Sequence, residues 1–180
     1  MKCKSCKMEF EPILKNGIIV SKLCTSCLIV KGRKMQSKQW KSEKKVLKEK
    51  LKTKSDYLRE LQTVFNRYVR LRDYGKPCIS CGNLLRGKYD AGHCYSVGAY
   101  PNLRFDEDNV HGQCVACNQH RHGNLNEYVI NLQRRIGNTR YEELINRRNE
   151  PKNYTVSEVK EMIALYKLKQ KKYQNYFRKG

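Results

Sequence analysis

Between two Cys-x-x-Cys pairs, Cys78/Cys81 and Cys114/Cys117, the chain carries a set of polar side chains suited to acid–base and metal chemistry. Asp90 and His93 come first, then Asn109 and His111, then Asn118 directly after the last cysteine, with His122 four residues beyond it. Four thiolates suit one tetrahedral zinc ion with no open position, so that metal is a structural staple and not the reacting one. His93 is the candidate general base, because imidazole titrates nearest to neutral pH. Asp90 and Asn118 offer hard oxygens suited to Mg²⁺, which leaves positions for water and phosphate. His122, on the same face of a helix expected to begin after Cys117, is a further ligand or phosphate contact.

These residues need elements to position them. The inner cysteines are separated by 32 residues, too many for a simple knuckle, so something folds between them. One zinc clamping both pairs brings a strand pair and a helix start side by side, with Asp90, His93, Asn109 and Asn118 within reach of one another. Upstream, Leu58, Leu61, Phe65, Tyr68 and Val69 recur at helical spacing, with Ser55 as candidate N-cap and Gly75 and Pro77 as stops. Downstream, Leu125, Tyr128, Val129, Leu132 and Ile136 predict an amphipathic helix ended by Gly137. Thr139/Glu142 and Thr155/Glu158 are capping-box spacings that open two more, the last burying Val156, Val159, Ile163 and Tyr166.

At the N-terminus, Cys3/Cys6 and Cys24/Cys27 form a second four-cysteine set, 17 residues apart, around a turn at Lys15-Asn16-Gly17. That spacing fits a zinc knuckle or ribbon whose metal replaces a core too small to build. Two structural zinc ions follow. The fold class expected is mainly helical α+β. Its organisation is a knuckle over residues 1–30, a basic linker or exposed helix over 31–54, a core over 55–150, and a basic helix over 151–180.

The 38 Lys and Arg against 17 Asp and Glu give a formal charge of +21, whose usual partner is a polyanion. Residues 1–54 hold 16 basic and 4 acidic groups, 55–150 hold 14 and 11, and 151–180 hold 8 and 2. A near-neutral core flanked by two basic arms points to nucleic acid, although any single run also reads as a solvated face. Cysteines in knuckle pairs, with neither an export signal nor a membrane-length apolar run, place the chain in a reducing cytoplasm, away from membranes.

Asp90-Ala-Gly-His93, Leu103-Arg104-Phe105, Asn109-Val-His-Gly-Gln-Cys114-x-x-Cys117-Asn118-Gln-His120 and Gly123-Asn124 together resemble the phage lambda NinG (Rap) recombination endonuclease family. The resemblance covers roughly residues 55–170 and is dense between 78 and 124. More broadly the pattern looks like the HNH superfamily. It is similar to phage recombination endonuclease VII in having Asn after the final cysteine. The resemblance implies a zinc-stapled ββα-metal (HNH) nuclease core with flanking helices. It also implies a Mg²⁺-dependent endonuclease acting on branched DNA such as Holliday junctions and D-loops, in a bacterial host's cytoplasm. In it His93 activates water, Asp90 and Asn118 hold magnesium, and Asn109 holds the loop and orients His93 through its backbone. One departure stands out: many family members carry the acidic ligand directly before the base, where this chain has Gly92. Symmetric cutting of a junction implies a homodimer, with the helices after residue 124 as candidate interfaces.

Blander readings sit beside these. His111 and His120 read as surface or phosphate-contacting residues, Cys94 as a small strand residue, and Arg104 and Arg121 as phosphate grips or salt-bridge partners. Tyr173, Tyr176 and Phe177 read as helix packing. Charge and cysteines alone fit a non-catalytic zinc-containing nucleic-acid-binding protein equally well, and an HNH nuclease with sequence preference is a third possibility.

Overall fold

The computed structural model describes residues 1–179, with side chains as far as Tyr176. The chain forms two units, Met1–Lys52 and a larger one beginning at Thr53.

In the first unit, strands β1 (Leu14–Lys15) and β2 (Ile18–Ile19) pair antiparallel. Asn16 and Gly17 join them with φ of +51° and +76°, the two left-handed residues that a tight hairpin needs. Helix α1 (Thr25–Lys50) follows, with Cys24 as its N-cap and Cys27 in its first turn. None of its 26 residues is buried. Residues 31–50 are therefore ordered helix, continuous with the second cysteine pair.

The second unit opens with α2 (Lys54–Arg72). Its cap is Thr53, not Ser55: the Thr53 hydroxyl accepts from the Asp56 N–H while the Asp56 carboxylate accepts from the Thr53 N–H. Asp56 stands three residues beyond Thr53, the spacing such a reciprocal box requires. Tyr57, Leu61, Phe65, Tyr68 and Val69 are buried against Val159, Ile163 and Tyr166 of α5 (Val156–Lys179). Phe65 sits at the centre, edge-on to Phe105 at 5.7 Å and Tyr166 at 4.9 Å. Val156 is exposed, one turn outside the buried stripe. The Thr155/Glu158 box forms as the spacing indicates.

Helix α3 (Leu125–Ile136) ends at Gly137, whose φ of +82° also starts α4 (Asn138–Arg147) without a spacer. The cap position thus falls on Gly137, and Thr139 lies inside α4, so no Thr139/Glu142 capping box opens it. Tyr128, Leu132 and Leu144 form a second core with Ile79, Cys94 and Leu103. Cys94 is a small buried residue there, just past a strand end, and burial pushes its thiol up to about 11. Tyr173 packs against Tyr68 with ring centres 6.0 Å apart, while Tyr176 is exposed and the Phe177 side chain lies outside those described.

Between α2 and α3 runs the only other strand pair among the described residues, β3 (Tyr89–His93) with β4 (Val110–Cys114). The pair is antiparallel and in register from Tyr89↔Cys114 to His93↔Val110. Mainly helical α+β is therefore the observed class. No helix among the described residues is long and apolar enough to cross a membrane.

Candidate active site

Both sets of four cysteines come together. Within each set the Sγ atoms all lie within 4.8 Å of one another. The Cys6–Cys24 and Cys81–Cys114 sulfurs are 3.7 and 3.8 Å apart. Four sulfurs placed tetrahedrally at the usual zinc–sulfur distance stand about 3.8 Å apart, whereas a disulfide closes to about 2 Å. The residues present therefore fit zinc. Burial alone would raise the Cys78 thiol, but the backbone N–H groups of Cys81, Cys114 and Ser80 outweigh it and lower it toward thiolate. Such N–H donors are what a metal-bound sulfur needs.

The second set carries the candidate site. Cys114 ends β4, and Ala116–His120 form a single wide helical turn that holds Cys117 and Asn118. Asn118 Nδ2 donates to Asp90 Oδ2 at 3.0 Å, and Gln119 Nε2 donates to the same oxygen at 2.8 Å. Asp90 and Asn118 are thus direct neighbours, as the cysteine clamp requires. Gln119, beside Asn118, joins the pair through a contact that spacing alone does not indicate.

The helix does not run on to His122. It breaks after His120, and His122 and Asn124 take φ of +49° and +42°. His122 therefore does not share a helical face with Asn118. The bend instead turns it into one cavity of about 530 Å³ with His93, Asn118, Tyr95 and Tyr100. Asp90 does not line that cavity.

His93 Nε2 lies 3.0 Å from the Arg104 carbonyl oxygen. An oxygen acceptor there requires a proton on Nε2, so in the neutral ring Nδ1 carries the lone pair. Burial lowers the His93 pKa below its ordinary value; the Arg104 carbonyl opposes this and the Arg104 charge adds to it. Among the described residues the Arg104 guanidinium makes no salt bridge: its Nε donates to Gln62 and it lies over the Phe105 ring. His120 and Arg121 are exposed.

Asn109 is fully buried. Its side chain accepts from the Tyr95 N–H at 2.8 Å and donates to the Tyr95 and Leu103 carbonyls at 3.0 Å each. Its own carbonyl accepts from the Cys94 N–H, the residue after His93. Tyr128, which periodicity marks only as core, adds a tie: its hydroxyl donates toward the Gly92 and Asn109 carbonyls and accepts from the His111 N–H. Gly92 is packed just as tightly, since a Cβ there would stand 2.1 Å from Gln113 Oε1. Gln113 is itself buried and pinned to Ser80 and the Gly123 carbonyl.

His111 is neither a surface residue nor a phosphate contact. It is buried behind β4, with Nε2 on the Asp108 carbonyl at 3.1 Å and Nδ1 beside Arg72 Nη2 at 3.2 Å. The position is set by Arg72 and Asp73, far away in sequence. Burial first, then the Arg72 charge, lowers its pKa to about 3, against the pull of Asp73. A histidine depressed in the folded state costs stability as pH falls below its unfolded pKa of about 6.5, because only the unfolded chain then takes the proton. His111→Gln cannot titrate but keeps a donor and an acceptor. Between pH 7 and pH 5 the wild type is therefore expected to lose on the order of 2 kcal/mol more stability than this variant. Urea unfolding at several pH values checks this, and parallel curves would refute it.

The fold and its sites define a small α+β protein built on two four-cysteine centres of zinc-knuckle type. The chain belongs to the NinG family: residues 1–176 match the family described as Bacteriophage Lambda NinG protein. It is 39% identical to the protein ninG of Escherichia phage lambda over 193 residues, covering 97% of this chain and 93% of that one. It is 40% identical to the protein ninG of Salmonella phage P22 over 189 residues, covering 94% and 92%. The counterpart from Escherichia phage 933W is 35% identical over 189 residues, covering 97% and 94%. No solved structure matches this chain.

Proposed function

We propose that this chain is a Mg²⁺-dependent DNA endonuclease of the HNH (ββα-metal) kind, cutting branched recombination intermediates. The observation that carries the reading is the state of His93. Its Nε2–H is committed to the Arg104 carbonyl, which leaves the Nδ1 lone pair as the base in a ring that borders a cavity shared with Asn118 and His122. The lowered pKa keeps that ring neutral at physiological pH.

Asp90 and Asn118 would hold magnesium through carboxylate and amide oxygens, a donor set of the right hardness. Among the described residues no third acid or histidine joins them in a ligand cluster, so most positions are left to water and phosphate. The ion, when bound, neutralises charge on the scissile phosphate and on the departing oxygen. His93 Nδ1 takes the proton of the attacking water. The phosphorus–3′-oxygen bond breaks in line, leaving a 5′-phosphate and a 3′-oxygen that takes a proton from solvent to become the 3′-hydroxyl. Asn109 and Tyr128 act only through the backbone around His93. The positive charge outside the core supplies sequence-independent grip on phosphates, and symmetric cuts across a four-way junction call for two copies.

The test is cleavage of a four-way DNA junction against a linear duplex of the same sequences at fixed salt, with and without Mg²⁺. Metal-dependent cutting of the junction in preference to the duplex is expected. Binding with no cutting under any divalent ion would instead make the chain a non-catalytic binder, and equal cutting of both at a preferred sequence would make it a sequence-reading nuclease.

A further inference from the structure

Helix α1 has no core to cover, yet its charges are arranged. Lys31, Lys34, Lys38, Lys41, Lys45 and Lys48 follow one another at alternating three- and four-residue steps. On a helix such steps keep side chains on one face, so the six form a single stripe about 25 Å long. All six are exposed, and none has an ion-pair partner among the described residues. Of the two acids of the helix, Glu43 bonds to Gln39 and Glu49 pairs with Lys52, so six lysines face at most these two carboxylates. Like charges at these spacings repel and weaken a helix. The apolar side chains Ile29, Trp40 and Leu47 lie on a different face and are themselves exposed, so among the described residues no core covers that other side. The start of α1 is fixed, because Cys24 caps it and Cys27 sits in its first turn, both within the four-cysteine centre.

We infer that the lysine face of α1 is a docking track for the backbone of duplex DNA. The inference rests on the DNA reading above and adds where, and to which form, the chain binds. A polyanion is the partner that removes the repulsion along the stripe. A duplex suits it better than a single strand because the stripe runs along one continuous helix and so presents its charges in a fixed row. Duplex DNA is stiff over about 150 base pairs and presents one charge per roughly 1.7 Å of axis, enough to meet every lysine without being straightened.

The experiment uses the full zinc-loaded chain, a fluorescent 30-base-pair duplex of arbitrary sequence, no added magnesium, and salt from 50 to 200 mM. In one variant Lys34, Lys38, Lys41 and Lys45 become Gln, which preserves helix propensity. In a control of equal net charge the exposed Lys2, Lys4, Lys15 and Lys22 of the same unit become Gln. The stripe variant is expected to bind at least about tenfold more weakly, and the slope of log affinity against log salt to fall by about 3 to 4, with less than half of each change in the control. Unchanged binding by the stripe variant overturns the inference. So do equal losses in both variants, which would make net charge the cause. Tighter wild-type binding of single-stranded DNA or an RNA hairpin than of the duplex overturns the choice of partner. Junction cleavage by the wild type separates the two readings: cleavage with stripe-independent binding sinks only the track, and a working track with no cleavage sinks only the nuclease.

Discussion

His93→Ala is expected to lower the cleavage rate on a four-way junction by about 10²- to 10⁴-fold, the range that a positioned general base supplies. Zinc content and duplex binding stay as in the wild type. His93 belongs to neither four-cysteine set, and among the described residues its side-chain hydrogen bond goes to a backbone carbonyl. The wild-type rate falls as pH drops, because protonation fills the Nδ1 lone pair. Burial depresses the pKa, with the Arg104 carbonyl resisting, so the midpoint of that acid limb lies below the ordinary histidine value of about 6.5. Single-turnover rates between pH 5 and 8 measure both effects. A variant that cuts at the wild-type rate would end the assignment of His93.

The other large effect is on the metal. Cys78→Ser is expected to lower bound zinc from two ions per chain to one and to collapse the second unit, whereas Cys6→Ser loses the other ion and leaves the melting of that unit unchanged. Structural zinc binding is worth about 10–16 kcal/mol, as much as the whole stability of a typical domain. The Cys78 centre also packs directly on Leu85 and Tyr89 and fixes the ends of β3 and β4. Metal analysis with thermal unfolding of each variant decides the matter. Two ions retained in Cys78→Ser, or the same melting loss in both variants, would refute the division of labour between the centres.

What could be read without coordinates followed from local rules. The stripe Leu61, Phe65, Tyr68 and Val69 is a helix face wherever it lies, and Cys-x-x-Cys pairs closing on one metal bring Asp90 beside Asn118. Misreadings arose where a distant residue decides. His111 sits in a motif-like string and looks exposed, but Arg72 and Asp73 bury it from 39 and 38 positions away. The Ser55 cap failed because Thr53 offers the same hydroxyl chemistry with an acid at the right step. His122 reaches the cavity only because the chain leaves the helix there, at the Gly123-Asn124 pair whose residue types favour the left-handed backbone that ends helices. Tyr128 looked like ordinary core, since its three hydroxyl contacts belong to a register that no single segment encodes.

Gly92 and Gln113 bear on how this site can change over generations. An acid placed directly before His93, the arrangement of many HNH-type enzymes, would need a Cβ where the Gln113 amide now lies. That amide is held to both Ser80 and Gly123, so it yields only by giving up two buried bonds. A side chain at position 92 therefore requires a shorter or displaced side chain at position 113, so the two positions are expected to change together.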